Sequence, residues 1–266
     1  MGCAFLALAA APTARSAQAG ETLVLTGSST IAPLVAEMGK HFEANHPGTR
    51  IDVQTGGTSR GIRDARQGLA HIGLVSRSLS DTERDLTAFP IALDGIAMIV
   101  HKSNPVRELS RQQIIGIYTG KITDWSELGG PGGTIVVENK AEGRSTLELF
   151  LNYFKLPASD IRAAVIVGDN QEAIKIVAGN PRAIGYVSIG SAVYEAEIGT
   201  PIRPLPMDGV APTIDAVKDL KFPITRELNL VVKNQPSGTV KEFISFAQSD
   251  DVREIVKEYF FVPYRK

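Results

Sequence analysis

The chain has 266 residues, 43% of them apolar and 21% charged, with a formal net charge of -1. Those proportions belong to a water-soluble globular protein long enough for two lobes, and they exclude a disordered or fibrous chain. The near-neutral balance provides no basic field for nucleic acid or an anionic membrane, so any anion recognition has to be local.

Residues 1–19 hold an apolar stretch from Cys3 to Ala11 and end in Ala17-Gln18-Ala19, a small-residue cleavage pattern, so a secretory signal cut before Gly20 is expected. Nothing basic precedes the stretch, which suggests a translation start further upstream. A lipid anchor at Cys3 is disfavoured, because the apolar stretch follows the cysteine instead of preceding it. Without residues 1–19 the chain has no cysteine. That suits an oxidising compartment, and no later apolar run reaches the ~18 residues that span a bilayer. The expectation is a soluble periplasmic protein.

Short apolar runs then alternate with helical patterns, the signature of an α/β chain with mixed, mostly parallel sheets and helices on both faces. Leu23–Leu25, Ile51–Val53, Ile72–Val75 and Ile96–Val100 read as strands. Between them Ile31, Leu34, Val35, Met38 and Phe42 recur at helical spacing, and Ile62, Ala65 and Leu69 do so more weakly. Further on come a capping box at Ser110 with Gln113, a strand at Thr134–Val137, and a helix carrying Leu147, Phe150, Leu151 and Phe154. Ser145 with Glu148 reads as a second capping box. A Pro-rich stretch over 201–223, a strand at Leu228–Val232 and two short helical segments close the chain. Those last helices are too short for a lobe of their own, which predicts a discontinuous layout. Residues 20–97 and 226–266 would form one lobe and 98–225 the other, with crossings near Ile96–His101 and Ile224–Lys233.

Three segments, Gly27-Ser28-Ser29-Thr30, Gly56-Gly57-Thr58-Ser59 and Glu142-Gly143-Arg144-Ser145-Thr146, each follow an apolar run and open a helical pattern. A helix start leaves backbone N–H groups unpaired and carries partial positive charge, so hydroxyls and glycines placed there can surround an oxyanion. Any one of them alone is an ordinary cap or turn. Together, at the strand-to-helix edge where open α/β sheets bind ligands, they predict a binding cleft. A nucleotide P-loop is absent, and Gly143-Arg144-Ser145-Thr146-Leu147 lacks the second glycine of a nucleophile elbow. His41, His46, His71 and His101 are scattered without thiols beside them, so neither a metal nor a cofactor is expected. Trp125 reads as a packing anchor under a loop.

At these residues the chain resembles the phosphate-binding subunits of bacterial phosphate ABC importers, within the periplasmic-binding-protein type II superfamily. The resemblance runs collinearly through Leu25–Pro33, Gly56–Ile62, Ile72–Arg77, Asp94–Ala97, Tyr118–Trp125, Ala183–Val187, Pro206–Thr213 and Pro223–Arg226. It implies a two-lobe fold with the ligand held in the cleft between lobes. It also implies a monomer that binds inorganic phosphate or a similar oxyanion and delivers it to the membrane subunits of an ABC importer. Carried over by position, Thr30 and the Ile31 N–H, Thr58 and Ser76 would contact the anion, with Ser29, Ser59 and Arg77 beside them. The other lobe would contribute Lys140, Glu142, Arg144, Ser145 and Thr146.

The family usually shows a basic residue, an acidic residue and then Gly-Ser-Gly-Thr in that last segment. Here Arg144 replaces the serine and Ser145 the second glycine, and Lys140 stands where arginine is common. Lysine cannot make arginine's bidentate fork, a role open to Arg144. His71 stands where aspartate is frequent, and Ser76 where some members have a carboxylate. Glu142 is then the expected acceptor for a ligand proton, which would favour phosphate over sulfate. Two alternatives stay open. One is the same fold binding sulfate, molybdate or an organic phosphate; the other is a phosphoester hydrolase using Ser145 or Ser76 with Lys140 and Glu142.

Overall fold

The structure, a computed structural model, describes residues 21–264; the expected signal segment and its cleavage site lie outside them. The chain opens with β1 (Glu21–Gly27), α1 (Ala32–Asn45), β2 (Thr49–Thr55), α2 (Thr58–Gln67) and β3 (Ile72–Val75). β1 pairs in parallel with β2 on one side and β3 on the other. This places the starts of both helices at one edge of the sheet. Gly27, at the end of β1, has φ +138°, and a side chain there would strike the Leu74 carbonyl at 2.3 Å. The absence of a Cβ lets the first hydroxyl segment turn tightly against β3.

The long strand β4 (Thr87–His101) follows, then α3 (Arg111–Tyr118), β5 (Val136–Lys140), α4 (Ser145–Phe154), β6 (Val165–Val167), α5 (Asn170–Gly179) and β7 (Ala183–Ser188). α6 (Ile189–Glu197), β8 (Ile202–Pro204), α7 (Ile214–Lys218), β9 (Thr225–Val232), α8 (Gly238–Ala247), α9 (Arg253–Glu258) and β10 (Val262–Pro263) complete the described chain. The strand order is β2-β1-β3-β9-β4-β7-β5-β6, with β8 and β10 also pairing with β4. Both flanks are parallel, and the central pairings with β4 and β9 are antiparallel.

The two largest apolar cores lie along this sheet. One gathers Leu25, Leu34, Phe42, Leu74, Leu230 and Phe243; the other gathers Met98, Tyr118, Trp125, Phe150, Tyr186 and Ile224. β4 passes from one to the other, with Ala92 in the first core and Ile96 in the second. β9 makes the reverse passage, with Ile224 just before it in the second core and Leu228 in the first. In the second core the Phe150 ring stacks on Tyr186 at 4.2 Å and lies 4.7 Å from Tyr118. This stack fixes α4 against β7, and the Tyr186 hydroxyl reaches back to β5 by donating to Asn139 Oδ1 at 2.6 Å. Trp125 is fully buried and donates its Nε1–H to the Arg182 carbonyl at 2.9 Å.

The capping box at Ser110 and Gln113 is present. The one expected at Ser145 is not: Arg144 is the N-cap of α4, and Ser145 already has helical backbone geometry, which turns its hydroxyl away from the helix's own N–H groups. The fifth strand is also displaced from the expected Thr134–Val137 to Val136–Lys140, so Lys140 lies in the strand.

Candidate anion site

The N-termini of α1, α2, α4 and α5 converge at the passage between the two cores, around a small cavity lined by Ser28, Ser29, Thr30, Gly57, Thr58, Lys140, Arg144, Ser145, Thr146, Gly168, Asp169 and Asn170. From the first-core side, Ser28 Oγ lies 2.7 Å from Ser76 Oγ and accepts from the Thr30 N–H at 3.2 Å. Thr58 Oγ1 accepts from the Ser76 N–H at 3.2 Å. Across the cleft, Ser145 Oγ sits 2.6 Å from Ser76 Oγ. The Asn170 amide donates to Thr30 Oγ1 at 3.4 Å. Hydroxyls bonded to one another can turn their protons toward an oxyanion placed among them, without moving the backbone.

Arg226 lies behind the hydroxyls that line the cavity. Its Nη1 donates to Thr146 Oγ1 at 3.1 Å and to Ser145 Oγ at 3.4 Å, and its Nη2 to Thr30 Oγ1 at 3.3 Å. Its Nε and Nη2 are also paired with Asp94 Oδ2 at 2.9 and 2.7 Å. Asp94 Oδ1 accepts from Ser188 Oγ at 2.9 Å and from the Gly190 N–H at 3.4 Å, so the carboxylate is fully engaged.

Two further cations line the walls. Lys140 is buried, and its Nζ donates to the Asp169 carbonyl at 2.6 Å. Burial holds this ammonium well below the usual lysine range, down to about 7, with Glu138 as the main opposing influence. Arg144 crosses the mouth of the cavity, close enough that a side chain at Gly57 would meet its Cδ at 3.0 Å and the Gly143 carbonyl at 2.7 Å. Gly57 also has φ +93°, a left-handed geometry that glycine alone adopts easily. The Arg144 Nε–H is buried with no acceptor among the described residues. An unpaired guanidinium N–H in a cavity wall is costly unless a ligand satisfies it.

Thr30, Thr58, Ser76, Lys140, Arg144, Ser145 and Thr146 therefore come together, with Ser29 on the cavity wall. Three other expected residues stand apart from it, and a fourth, Ile31, offers only the backbone N–H expected of it. The Ile31 side chain is buried in the first core, leaving only its backbone at the α1 start. Ser59 is exposed and its N–H is bound to the Gly143 carbonyl at 3.2 Å. Arg77 places Nη1 and Nη2 on the Glu83 carboxylate at 2.8 and 2.9 Å and Nε on Glu148, so its guanidinium is spent on ion pairs. Glu142 is exposed and off the cavity wall, because Gly143, at φ +77°, turns the chain between it and the helix start.

The sequence reading missed Asp169, Asn170 and the role of Arg226. The first two had a usable signal: apolar Val165-Ile166-Val167, a glycine, and Asp169 three residues before Glu172, the same strand–turn–helix pattern as the other three segments. Asp169 does cap α5, accepting from the Glu172 N–H at 2.9 Å.

A PBP superfamily domain matches residues 12–251. The chain belongs to the PBP superfamily. Within that superfamily it is 31% identical to a Clostridium perfringens protein described as a phosphate ABC transporter substrate-binding protein and solved with bound phosphate. The match covers 92% of this chain and 100% of that one, at a TM-score of 0.85. An ABC-type phosphate transport receptor from Vibrio cholerae is 27% identical over 92% of this chain and 100% of its own, at a TM-score of 0.75. The phosphate-binding protein PstS of Bacillus subtilis is 28% identical over 251 residues, 92% of this chain and 82% of its own length. The PBP type II architecture expected from the sequence is thus the observed one, and the chain belongs to the family of these phosphate-transporter proteins. Among the described residues no group of His, Cys, Asp and Glu side chains could hold a metal ion.

Proposed function

We propose that this PBP superfamily protein is an exported solute-binding protein that captures inorganic phosphate between its lobes and delivers it to the membrane subunits of an ABC importer. The observation that carries this reading is the meeting of four helix N-termini and the hydroxyls of Thr30, Thr58, Ser76, Ser145 and Thr146 around one small cavity. The phosphate bound in the Clostridium perfringens relative supports the choice of anion. Oriented neutral donors cost little ordering on capture, and the guanidinium groups of Arg144 and Arg226 add positive charge beside them.

Residues 20–97 and 226–266 form one lobe in this reading and 98–225 the other. The switch of β4 and β9 between cores supports it. Closure about those two strands would bring Ser145 and Thr146 onto the hydroxyls of the first lobe, and the anion would shift the population toward that closed form. No bond is made or broken. A hydrolase is disfavoured because the Ser76 and Ser145 hydroxyls meet other hydroxyls and Arg226, with no imidazole or carboxylate among the described residues hydrogen-bonded to either as a base.

Calorimetric titration of the protein against phosphate, arsenate, sulfate and molybdate tests the assignment. One phosphate per chain, bound more tightly than the others, is the expected result. Binding of none of them, or turnover of a chromogenic phosphoester, would overturn it.

A further inference from the structure

Behind the cavity lies a carboxylate that anion capture, as described above, does not use. Glu138 is only 1% exposed, and neither of its carboxylate oxygens has a hydrogen-bond partner among the described residues. A native interior rarely leaves a carboxylate so unmatched, since an ionised one without donors is strongly destabilising. The space it occupies exists because its neighbour on β7 is Gly185: a Cβ there would lie 2.7 Å from Glu138 Oε2. Val165 is its register partner on β6. Glu138 and Lys140 are two residues apart on β5, so both side chains leave the strand on the same face, one lining the anion cavity and the other directly behind it.

We infer that Glu138 is a proton switch for the anion site: the cavity holds its anion tightly only when this carboxyl is protonated, so capture takes up a proton. The inference rests on the anion-binding reading above. An anion beside Lys140 places a second negative charge near Glu138 in a low-dielectric interior, and the carboxyl answers by taking a proton. Its charged and titratable neighbours are few. Lys140 on its own strand favours the ionised form, whereas Glu172 from α5 opposes it, and Tyr118 from α3 faces it without donating to it. Lys140 in turn faces Asp169, Glu172 and, from β9, Arg226. Burial pushes the Glu138 carboxyl up to about 8, which places the switch in the range where an exported protein works.

Carbon-13 NMR of glutamate-labelled protein tests the inference, with the Glu138 carboxyl resonance assigned by its loss in Glu138→Gln or, should that variant fold poorly, Glu138→Asp. In wild type without ligand this one resonance should titrate in the neutral range, apart from the other glutamates. Saturating phosphate should move its midpoint up by at least about one pH unit, which by linkage means that the protonated form binds phosphate about tenfold more tightly than the ionised form. A ligand-free midpoint in the ordinary carboxylate range, or a midpoint that phosphate leaves in place, overturns the inference while leaving the anion site intact. Wild type that binds no phosphate at any pH overturns the anion-binding reading, and this inference with it.

Discussion

Asp94 and Arg226 are register partners across β4 and β9, and their side chains meet at 2.7 Å with about 1% of either exposed. They stand where both strands pass from one core to the other, and the guanidinium edge facing away from Asp94 donates to Thr30, Ser145 and Thr146. One buried ion pair thus ties together the two strands that pass between the cores and presents donors to the hydroxyls at the starts of α1 and α4. In the two-lobe reading proposed above, the pair would couple the hinge to the site.

Breaking the pair from the acidic side leaves a buried guanidinium uncompensated, so Asp94→Asn is expected to destabilise the fold by roughly 3–5 kcal/mol. Arg226→Met should cost less stability per charge buried, because Asp94 keeps Ser188 and the Gly190 N–H, but it should abolish measurable phosphate binding. Urea unfolding and calorimetry of the two variants separate these effects. A fully stable Asp94→Asn variant would mean that the pair is not the clamp it resembles.

Thr58 lies at the start of α2, buried, with its hydroxyl on the Ser76 N–H. Thr58→Ala should weaken phosphate binding by roughly 1–3 kcal/mol, the scale of a hydrogen bond to a charged group. The fold should tolerate the change, since Arg60 also ties α2 to β2 by donating to the Thr55 carbonyl and to Gln54 Oε1. Unchanged affinity in calorimetry would remove Thr58 from the site.

The hydroxyl segments were legible because their signal is local: an apolar run, then glycine and hydroxyls, then helical spacing. Arg226 was not, since its meaning comes from Asp94, 132 residues earlier, and strand pairing at that separation leaves no trace in a short window. β5 was placed too early for a related reason. Its last three residues, Glu138, Asn139 and Lys140, are polar and buried, a pattern that propensity does not recognise as strand and that the ligand site explains. The Ser145 capping box failed because the helix starts one residue earlier, with Arg144 as its N-cap, and the Ser145 hydroxyl meets Ser76, 69 residues earlier in the chain.

Arg144 stands where the resemblance led to an expectation of serine, and its buried, unmatched Nε–H borders the cavity. Arg144→Ser is expected to lower phosphate affinity about tenfold while leaving the melting temperature within a degree or two, because the residue packs against Gly57 and Gly168 and joins neither core. Equal or tighter binding by the variant would show that backbone donors carry this wall alone.

Glu142 was the residue expected to accept a ligand proton, yet it is exposed and away from the cavity wall. Across some distance of solvent its charge is screened, so Glu142→Gln should leave the ratio of phosphate to sulfate affinity unchanged. Any ligand proton would instead find hydroxyl oxygens such as Ser76 Oγ as acceptors. Competitive calorimetry with both anions between pH 5 and 8 decides the matter, and a narrowed ratio in the variant would restore Glu142 as the selector.

The last prediction concerns what keeps the cleft shut. Arg77, two residues after β3, bridges the nearby Glu83 and Glu148 of α4, and its side chain is 14% exposed against 34% for Glu148. Chelation by Arg77 holds the Glu83 carboxyl down at about 2 against the opposing effect of burial. A carboxyl depressed in the folded state contributes stability that is present above its ordinary value of 4.5 and lost as pH falls through about 2. The anchor of this bridge is therefore charged throughout the neutral range, and a pH dependence of capture between 6 and 8 comes from other groups: Glu138, Lys140 and the second ionisation of phosphate itself. A half-exposed ion pair is worth about 0.5–1 kcal/mol, so Glu148→Gln should weaken phosphate binding two- to fivefold, almost entirely by faster release. The same variant should lose much of the salt dependence of release, since the screened interaction is gone. Stopped-flow release measurements at low and high salt, with small-angle scattering of the ligand-free protein, read both consequences. Wild-type release rates and an unchanged radius of gyration in the variant would show that the cleft is held by the hydroxyl contacts and the Ser59–Gly143 backbone bond without help from this bridge.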